Sequence, residues 1–114
     1  MAQIPEETAT NFWSVLQQLL LLANESSSVE YEILQQFGET EVSAVALESL
    51  TEIRQEVSDR YSQLAQALLR IASAQPIATS DSLATINNRI ASIFQRIPAL
   101  LRSIEEIKED WSLT

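Results

Sequence analysis

The sequence contains no histidine and no cysteine, and these two absences exclude many kinds of protein chemistry. Without imidazole or thiol, the chain has no Ser–His or Cys–His nucleophile pair and lacks the usual ligands of zinc, haem and iron–sulfur clusters. Di-iron helical bundles also require histidine, in Glu-x-x-His motifs. No glycine-rich loop is present to hold a phosphate group. We therefore expect no enzyme activity, no cofactor and no bound metal.

Glycine and proline are also scarce. The 114 residues include one glycine, Gly38, and three prolines, Pro5, Pro76 and Pro98. Because an antiparallel sheet would need many more turn residues, the composition predicts an all-α fold. Apolar residues make up 46% of the chain, which is sufficient for a folded core. The length supports a single domain spanning residues 1–114.

Basic residues are absent from the first 53 positions, which carry nine acids, and the first basic residue is Arg54. The remainder has seven acids and seven bases, so the first half accounts for the net charge of −9. This balance argues against nucleic acid as a partner, since phosphates require a basic face. Two explanations stay open. Either an acidic first helix lies beside arginines of the last helix, or one face is held for an oppositely charged partner.

Long hydrophobic runs are missing as well, because the longest apolar tract covers only residues 19–23. A membrane span needs about 20 such residues. A signal peptide has basic residues before an apolar run, and the amino terminus does not show this pattern. Together with the lack of cysteine, which fits a reducing compartment, these features predict a soluble cytoplasmic protein that does not bind membranes.

Apolar residues recur at alternating steps of three and four, the spacing that places side chains on one side of a helix. The last third of the chain holds nine in succession: Leu83, Ile86, Ile90, Ile93, Ile97, Leu100, Ile104, Ile107 and Trp111. A second seam comprises Phe12, Val15, Leu19, Leu22, Ser26, Val29, Ile33 and then Gln36 or Phe37. A third comprises Ala46, Leu50, Ile53, Val57, Leu64, Ala67 and Ile71. The pattern predicts coiled-coil-like packing of long helices.

Capping residues divide these seams into elements. Pro5 suits the first helical position, Gly38 a helix end, Thr40 a helix start, and Ser80 or Asp81 another start. We predict an up-down-up bundle of three long helices, at about residues 5–37, 40–74 and 81–112.

An alternative breaks the first helix near residues 24–28, where weak helix formers cluster. Ser27 and Glu30 match a capping box there and would start a separate short helix. The result would be a four-helix bundle. Because the apolar seam keeps its phase across this stretch, we favour one continuous helix.

Two residues interrupt the apolar seams. Arg60 lies on the second-helix seam, and we expect Tyr61 to fill the space while the guanidinium reaches solvent; a buried ion pair is the alternative. Pro98 lies inside the third helix, where it removes a backbone hydrogen bond and is expected to kink the helix. In an up-down-up bundle Pro98 would lie at the same height as residues 24–28. Two irregularities at one height along the bundle could indicate a ligand cleft.

Four acids recur along one side of the second helix, at Glu48, Glu52, Glu56 and Asp59. Carboxylates at this spacing could hold a hard cation such as calcium or magnesium. A solvated helix surface is the simpler interpretation, and we assign no metal site.

Large apolar side chains outside the seams give the best indication of function. Trp13, Leu20 and Tyr31 form a second stripe on the first helix, roughly 110–130° around from its seam at about 100° per residue. Leu21 projects onto the polar side, and Trp111 lies near the end of the chain. These five residues are our candidate interaction surface.

We expect a non-enzymatic helical interaction module, such as an adaptor, an accessory subunit or a small oligomeric scaffold, that acts through packed helix faces. Its partner would be another protein or a second copy of the chain. The alternative is an acidic inhibitor or antidote that occupies a basic surface on a partner protein. A third hypothesis, an enzyme or small-molecule carrier with a site near Pro98, has no polar constellation to support it.

Overall fold

The computed structural model describes residues 4–73 and 80–113. These residues form three long helices: α1 over Glu6–Phe37, α2 over Glu41–Ser73 and α3 over Ser80–Asp110. The helices pack side by side into an elongated bundle measuring 56 × 19 × 16 Å. The predicted all-α bundle of three long helices is therefore confirmed.

Contacts at two levels define how the helices run. Near the start of α1 and α3, the Thr8 hydroxyl donates to the Asn87 side-chain oxygen at 3.1 Å. Farther along both helices, the Lys108 ammonium donates to Glu25 at 3.0 Å. Helices α1 and α3 are therefore parallel, and α2, which follows α1 after only three residues, runs in the opposite direction. This is the up-down-up arrangement.

The three predicted seams meet along the bundle axis and form its core. On α3 the six central seam residues are buried, whereas Leu83, Ile107 and Trp111 are partly buried. The sequence prediction missed Thr8 and Leu16 on α1 and Ser43 on α2, which are buried. It included Ala67, which is only partly buried, and Gln36 or Phe37, which are both exposed. Each fully buried aliphatic side chain contributes roughly 1.5–3 kcal/mol, so the seams are the main source of stability.

Helix α1 is continuous through residues 24–28, and the alternative four-helix bundle is wrong. Ser26 explains how a polar residue lies on the seam at this level. Its side chain is fully buried, and its hydroxyl donates to the backbone carbonyl of Leu50 in α2 at 2.9 Å. A buried hydroxyl with a partner avoids the penalty of an unsatisfied polar group, so the helix does not need to break there.

The turn between α1 and α2 follows the predicted capping residues. Gly38 has a φ of 70°, which a residue without a Cβ adopts easily, and its N–H donates to the Leu34 carbonyl at 3.0 Å. The Thr40 hydroxyl accepts the N–H of Ser43 at 3.1 Å, and the Ser43 hydroxyl accepts the N–H of Thr40 at 2.7 Å. This reciprocal pair satisfies two amide donors at the start of α2.

Other helix ends differ from the prediction by a residue or two. Pro5 precedes α1 instead of starting it: its ψ is 141°, and its carbonyl accepts the N–H of Ala9. Ala74, the predicted end of α2, lies outside the described residues together with Pro76. Ser80 is already helical, so any cap before it also lies outside the described residues.

Helix α3 ends two residues earlier than predicted because the chain turns back on itself. The N–H of Leu113 donates to the Lys108 carbonyl at 2.8 Å, and the N–H of Ser112 donates to the Glu109 carbonyl at 3.0 Å. This pair of bonds is a Schellman motif. Ser112 occupies the left-handed position that usually holds glycine, with a φ of 54°.

We expect Ser112→Gly to stabilise the protein by about 1 kcal/mol, because glycine adopts the left-handed conformation without the steric cost of a Cβ. Thermal unfolding followed by circular dichroism measures the change. Ser103→Gly is the matched control, since Ser103 is an exposed residue inside α3 and glycine there should destabilise by about 1 kcal/mol. A loss of stability in both variants would contradict the assigned conformation of Ser112.

Pro98 lies on the exposed side of α3, and the helix continues through it without interruption. Buried seam residues flank it in sequence at Ile97 and Leu100. The seam therefore keeps its phase across the proline, as expected from the spacing of the isoleucines.

Candidate interaction surface

The five candidate surface residues do not form one patch. Trp13, Leu20 and Tyr31 lie on one side of α1 and are each more than half exposed. Leu21 is also exposed but projects from another side of the same helix, and Trp111 is partly buried at the end of the bundle. The candidate residues that are exposed and share one side of a helix are therefore the three on α1.

The exposed stripe on α1 is longer than the three residues predicted from the sequence. Positions at alternating steps of four and three along this side of the helix are all exposed in the structure. We call this set the neutral stripe: Trp13, Gln17, Leu20, Asn24, Ser27, Tyr31 and Leu34. Its large apolar members are therefore two aromatic residues and two leucines, and its centre is polar but uncharged.

The neutral stripe differs from the rest of the protein in its lack of charge. No charged residue occurs between Glu7 and Glu25 in a chain whose net charge is −9. Charged groups solvate a surface strongly, and the centres of protein interfaces are depleted in them and enriched in aromatic residues. The signal for Gln17 and Asn24 was present in the sequence as this uncharged stretch, but both residues are polar and were not counted in an apolar pattern. Ser27 and Leu34 lie beyond Glu25, outside the stretch.

Leu21 lines a groove between α1 and α3 that also borders Asn24 of the neutral stripe. The groove has a volume of about 420 Å³, and Leu22, Ile97 and Leu101 supply its other apolar side chains. Asn24 and Glu25 also line it, so residues 24–28 and the neighbourhood of Pro98 do lie at one level of the bundle. Gln18, Asn24, Glu25 and Glu105 supply its polar side chains, and the groove is open to solvent, in contrast to an enclosed binding pocket.

Trp111 closes one end of the bundle. Its ring packs edge-on against the ring of Phe37, with centroids 4.9 Å apart and an angle of 64° between the planes. The Schellman turn holds Leu113 against the same core. Trp111 therefore stabilises the junction between the end of α1 and the end of α3, which is a structural role.

A cluster of ion pairs joins α2 to α3 on a different side of the molecule. Arg96 donates two hydrogen bonds to the Glu56 carboxylate, at 2.8 and 3.0 Å, and Arg60 donates a third at 3.0 Å. The bonds from Arg96 are the largest cause of a lowered pKa for Glu56; partial burial opposes them, and Arg60 lowers the pKa further. Tyr61 packs against the core, as predicted. The Arg60 guanidinium is partly exposed and forms an ion pair with Glu56, so the outcome lies between the predicted solvated arginine and the alternative of a buried ion pair.

Two acidic side chains of α1 form ion pairs with the neighbouring helices. Glu30 forms an ion pair with Arg54 of α2, and Glu25 forms one with Lys108 of α3. The hydrogen bond that Lys108 donates to Glu25 raises the pKa of Lys108. The arginine of α3 that forms a described ion pair, Arg96, binds α2, so the predicted contact between α1 and the arginines of α3 is not the one that forms. Such partly exposed pairs contribute little to stability.

A second groove, about 370 Å³ in volume, follows the Glu56 cluster between α2 and α3. Its wall contains Glu52, Glu106 and Asp110 in addition to Glu56. Glu48 and Asp59 do not line it, so the four acids noted on α2 do not act together. Within residues 4–73 and 80–113, no three carboxylates converge in a way that would hold a metal ion.

Across the described ranges, no helix combines the length and the apolar character that a membrane crossing requires. Comparisons with protein-family models, with curated proteins and with solved structures found no match for this chain. Function is therefore inferred from the geometry of the described residues.

Proposed function

We propose that the protein is a non-enzymatic helical interaction module, acting as an adaptor, an accessory subunit or a small oligomeric scaffold. The observation that carries this proposal is the neutral stripe, a row of exposed aromatic, aliphatic and uncharged polar side chains along α1. Exposed tryptophan and tyrosine are the residue types most enriched at the energetic centres of interfaces. The buried seams already account for folding, so the stripe is left for binding.

A pair of adjacent leucines allows a matched test. Leu20→Glu places a charge in the neutral stripe, whereas Leu21→Glu makes the same chemical change at an equally exposed position outside it. We expect wild type and Leu21→Glu to associate, with themselves or with a protein retained from cell extract, and we expect Leu20→Glu to lose that association. Light scattering and affinity capture measure the two kinds of association.

Both variants should keep the wild-type circular dichroism spectrum, because neither leucine belongs to the buried core. A wild-type protein that stays monomeric at all concentrations and retains no partner would contradict the proposal. Equal association of Leu20→Glu and Leu21→Glu would also contradict it, since the neutral stripe would then have no role.

The acidic groove between α2 and α3 favours a second candidate function, that of an inhibitor or antidote occupying a basic protein surface. Glu52, Glu106 and Asp110 line this groove, and none of them forms a described ion pair within residues 4–73 and 80–113. Binding through such carboxylates would weaken strongly as salt is added. Glu106→Gln would weaken it, whereas Leu20→Glu would leave it unchanged.

A further inference from the structure

We infer that the groove between α2 and α3 is a docking site for a basic amphipathic helix of another protein. This inference rests on the second candidate function, since it names the chemistry of the partner that the acidic groove would bind. It does not involve the neutral stripe, which lies on α1. Three properties of the groove point to this class of partner: its length, the exposed apolar side chains at one end, and the unpaired acids on both walls.

The groove extends beyond the cavity beside Glu56. A neighbouring cavity of about 480 Å³ lies between the start of α2 and the end of α3, and it shares Ser49, Ile107 and Asp110 with the first. The two cavities therefore form one continuous groove. On α2 its lining residues run from Val42 to Glu56, a distance of about 21 Å at about 1.5 Å per residue. This length accommodates a helix of about 15 residues.

The groove is straight because its lining follows one strip of each helix. The strip on α3 has steps of four and three, at Arg96, Leu100, Ser103, Ile107 and Asp110. The lining residues of α2 include positions with the same steps from Val42 to Glu56. Arg96 pairs with Glu56 at one end, and Trp111 lines the groove with Val42 at the other, so the two strips are antiparallel. A furrow between two antiparallel helices is a shape that a third helix fills in helix-in-groove recognition.

Apolar side chains are exposed at one end of the groove. Val42 and Val45 are 73% and 68% exposed, and the partly buried Ile107 and Trp111 line the same cavity. Because valine is a weaker helix former than alanine, helix stability does not explain two exposed valines at the start of α2. A bound helix with an apolar side would cover them and remove their surface from water.

The walls of the groove carry acids that have no counterion among the described residues. Glu52 lies on α2, and Glu106 and Asp110 lie one turn apart on α3; all three are exposed. Arg96, the one base that lines the groove in residues 4–73 and 80–113, is already bound to Glu56. Basic side chains on both flanks of a bound helix would therefore find complementary charge on both walls. The net charge of −9 makes a second copy of this chain the less complementary occupant.

Designed peptides test the inference with the full-length chain. The probe has about 15 residues of leucine, alanine and lysine, with leucines at steps of three and four and lysines on both flanks. One control has the same composition in scrambled order, which removes the apolar side. The other control has glutamate in place of every lysine. Trp13→Phe leaves Trp111 as the only tryptophan, so its fluorescence reports on the groove directly.

We expect the lysine probe to shift the emission of Trp111 and to bind at least about tenfold more tightly than either control peptide. Raising the salt from about 0.1 M to about 1 M shortens the Debye length from about 10 Å to about 3 Å, and binding should weaken several-fold.

Two triple variants separate the groove from the overall charge of the protein. The first neutralises the acids of the groove walls: Glu52→Gln, Glu106→Gln and Asp110→Asn. The second removes three charges from the same two helices outside the groove: Glu48→Gln, Asp59→Asn and Glu109→Gln. The first should weaken binding of the lysine probe about tenfold, and the second should change it little. All six acids are exposed, so both variants should keep the wild-type circular dichroism spectrum.

The apolar end of the groove has its own matched pair. Val45 and Leu69 are 68% and 67% exposed on α2, and Leu69 does not line the groove. Val45→Ser should weaken binding of the lysine probe a few-fold, whereas Leu69→Ser should leave it unchanged.

Each result decides the inference. Preferential binding of the lysine probe that is sensitive to the groove variants and not to their controls supports it. Equal binding of the scrambled peptide, still sensitive to the first triple variant, would mean that the groove binds any basic surface; the inference would be wrong and the second candidate function would stand. Equal losses in the two triple variants, or no binding of either lysine peptide, would overturn both.

Two further outcomes concern other occupants. Equal binding of the glutamate peptide would show that charge does not select the partner, and the inference would be wrong. A wild-type dimer in light scattering that Val45→Ser abolishes and Leu69→Ser does not would assign the groove to a second copy of the chain, which also overturns it.

Discussion

Replacing Leu19 by alanine is expected to destabilise the bundle by about 3–5 kcal/mol, the largest effect of any single substitution considered. The Leu19 side chain is fully buried between the helices, on the α1 seam. Truncation removes three buried carbon atoms and leaves a cavity that two rigid neighbouring helices cannot collapse to fill. Since small domains are stable by only about 5–15 kcal/mol, the variant should be close to unfolding at room temperature. Urea unfolding followed by circular dichroism measures the loss.

The chain supplies its own control in a run of four leucines. Leu19 and Leu22 are buried, whereas Leu20 and Leu21 are exposed. Leu21→Ala removes the same atoms from the same helix with the same change in helix propensity, but we expect it to cost less than about 1 kcal/mol. If Leu19→Ala and Leu21→Ala destabilised the protein equally, the rotation of α1 about its axis would differ from the one described.

The helices could be predicted from the sequence because burial on a helix repeats with a fixed period. Every buried isoleucine of α3 follows that period. The polar residue Ser26 on the α1 seam is accommodated by a hydrogen bond to the Leu50 carbonyl. Leu16 was missed because it lies at the edge of the α1 seam, where spacing alone does not separate buried from exposed positions. Whether a residue at the edge of a seam is buried depends on the distances between the helices.

The candidate surface was harder to predict because its members depend on contacts between distant segments. Trp111 has the size and position of a binding residue, but the ring of Phe37 covers one side of it. The ion pairs were also hard to predict from the sequence. Composition indicated that acids of α1 would meet bases elsewhere, yet the partners are Arg54 and Lys108, which were selected by side-chain reach and helix rotation. Local sequence does not encode either quantity.

The proposed function separates folding from binding along α1. Residues of the buried seam and of the neutral stripe alternate in sequence, so Leu19 is buried and its neighbour Leu20 is exposed. Substitutions in the seam should therefore alter stability at every protein concentration. Substitutions in the stripe should alter association, and should affect stability only where association contributes to it. Measuring unfolding at two protein concentrations distinguishes the two kinds of residue.

Replacing Pro98 by alanine is expected to stabilise the protein by about 2 kcal/mol. Proline inside a helix costs ~3 kcal/mol relative to alanine, since it has no N–H and its ring crowds the preceding turn. Proline also reduces the conformational entropy of the unfolded chain, and this offsets up to about 1 kcal/mol of that cost. Pro98 is exposed, so alanine there removes no buried contact. The new N–H can donate a hydrogen bond to the carbonyl of Phe94, which Pro98 cannot do because proline has no N–H.

Thermal unfolding should show the gain as a midpoint raised by about 8 °C or more. Gln95→Ala is the control, because Gln95 is exposed on the same helix and its replacement should change stability by only a few tenths of a kcal/mol. A Pro98→Ala variant that is less stable than wild type, with an unchanged Gln95→Ala variant, would contradict the expectation. It would mean that Ile97 and Leu100 reach the core only because the proline sets the local path of α3.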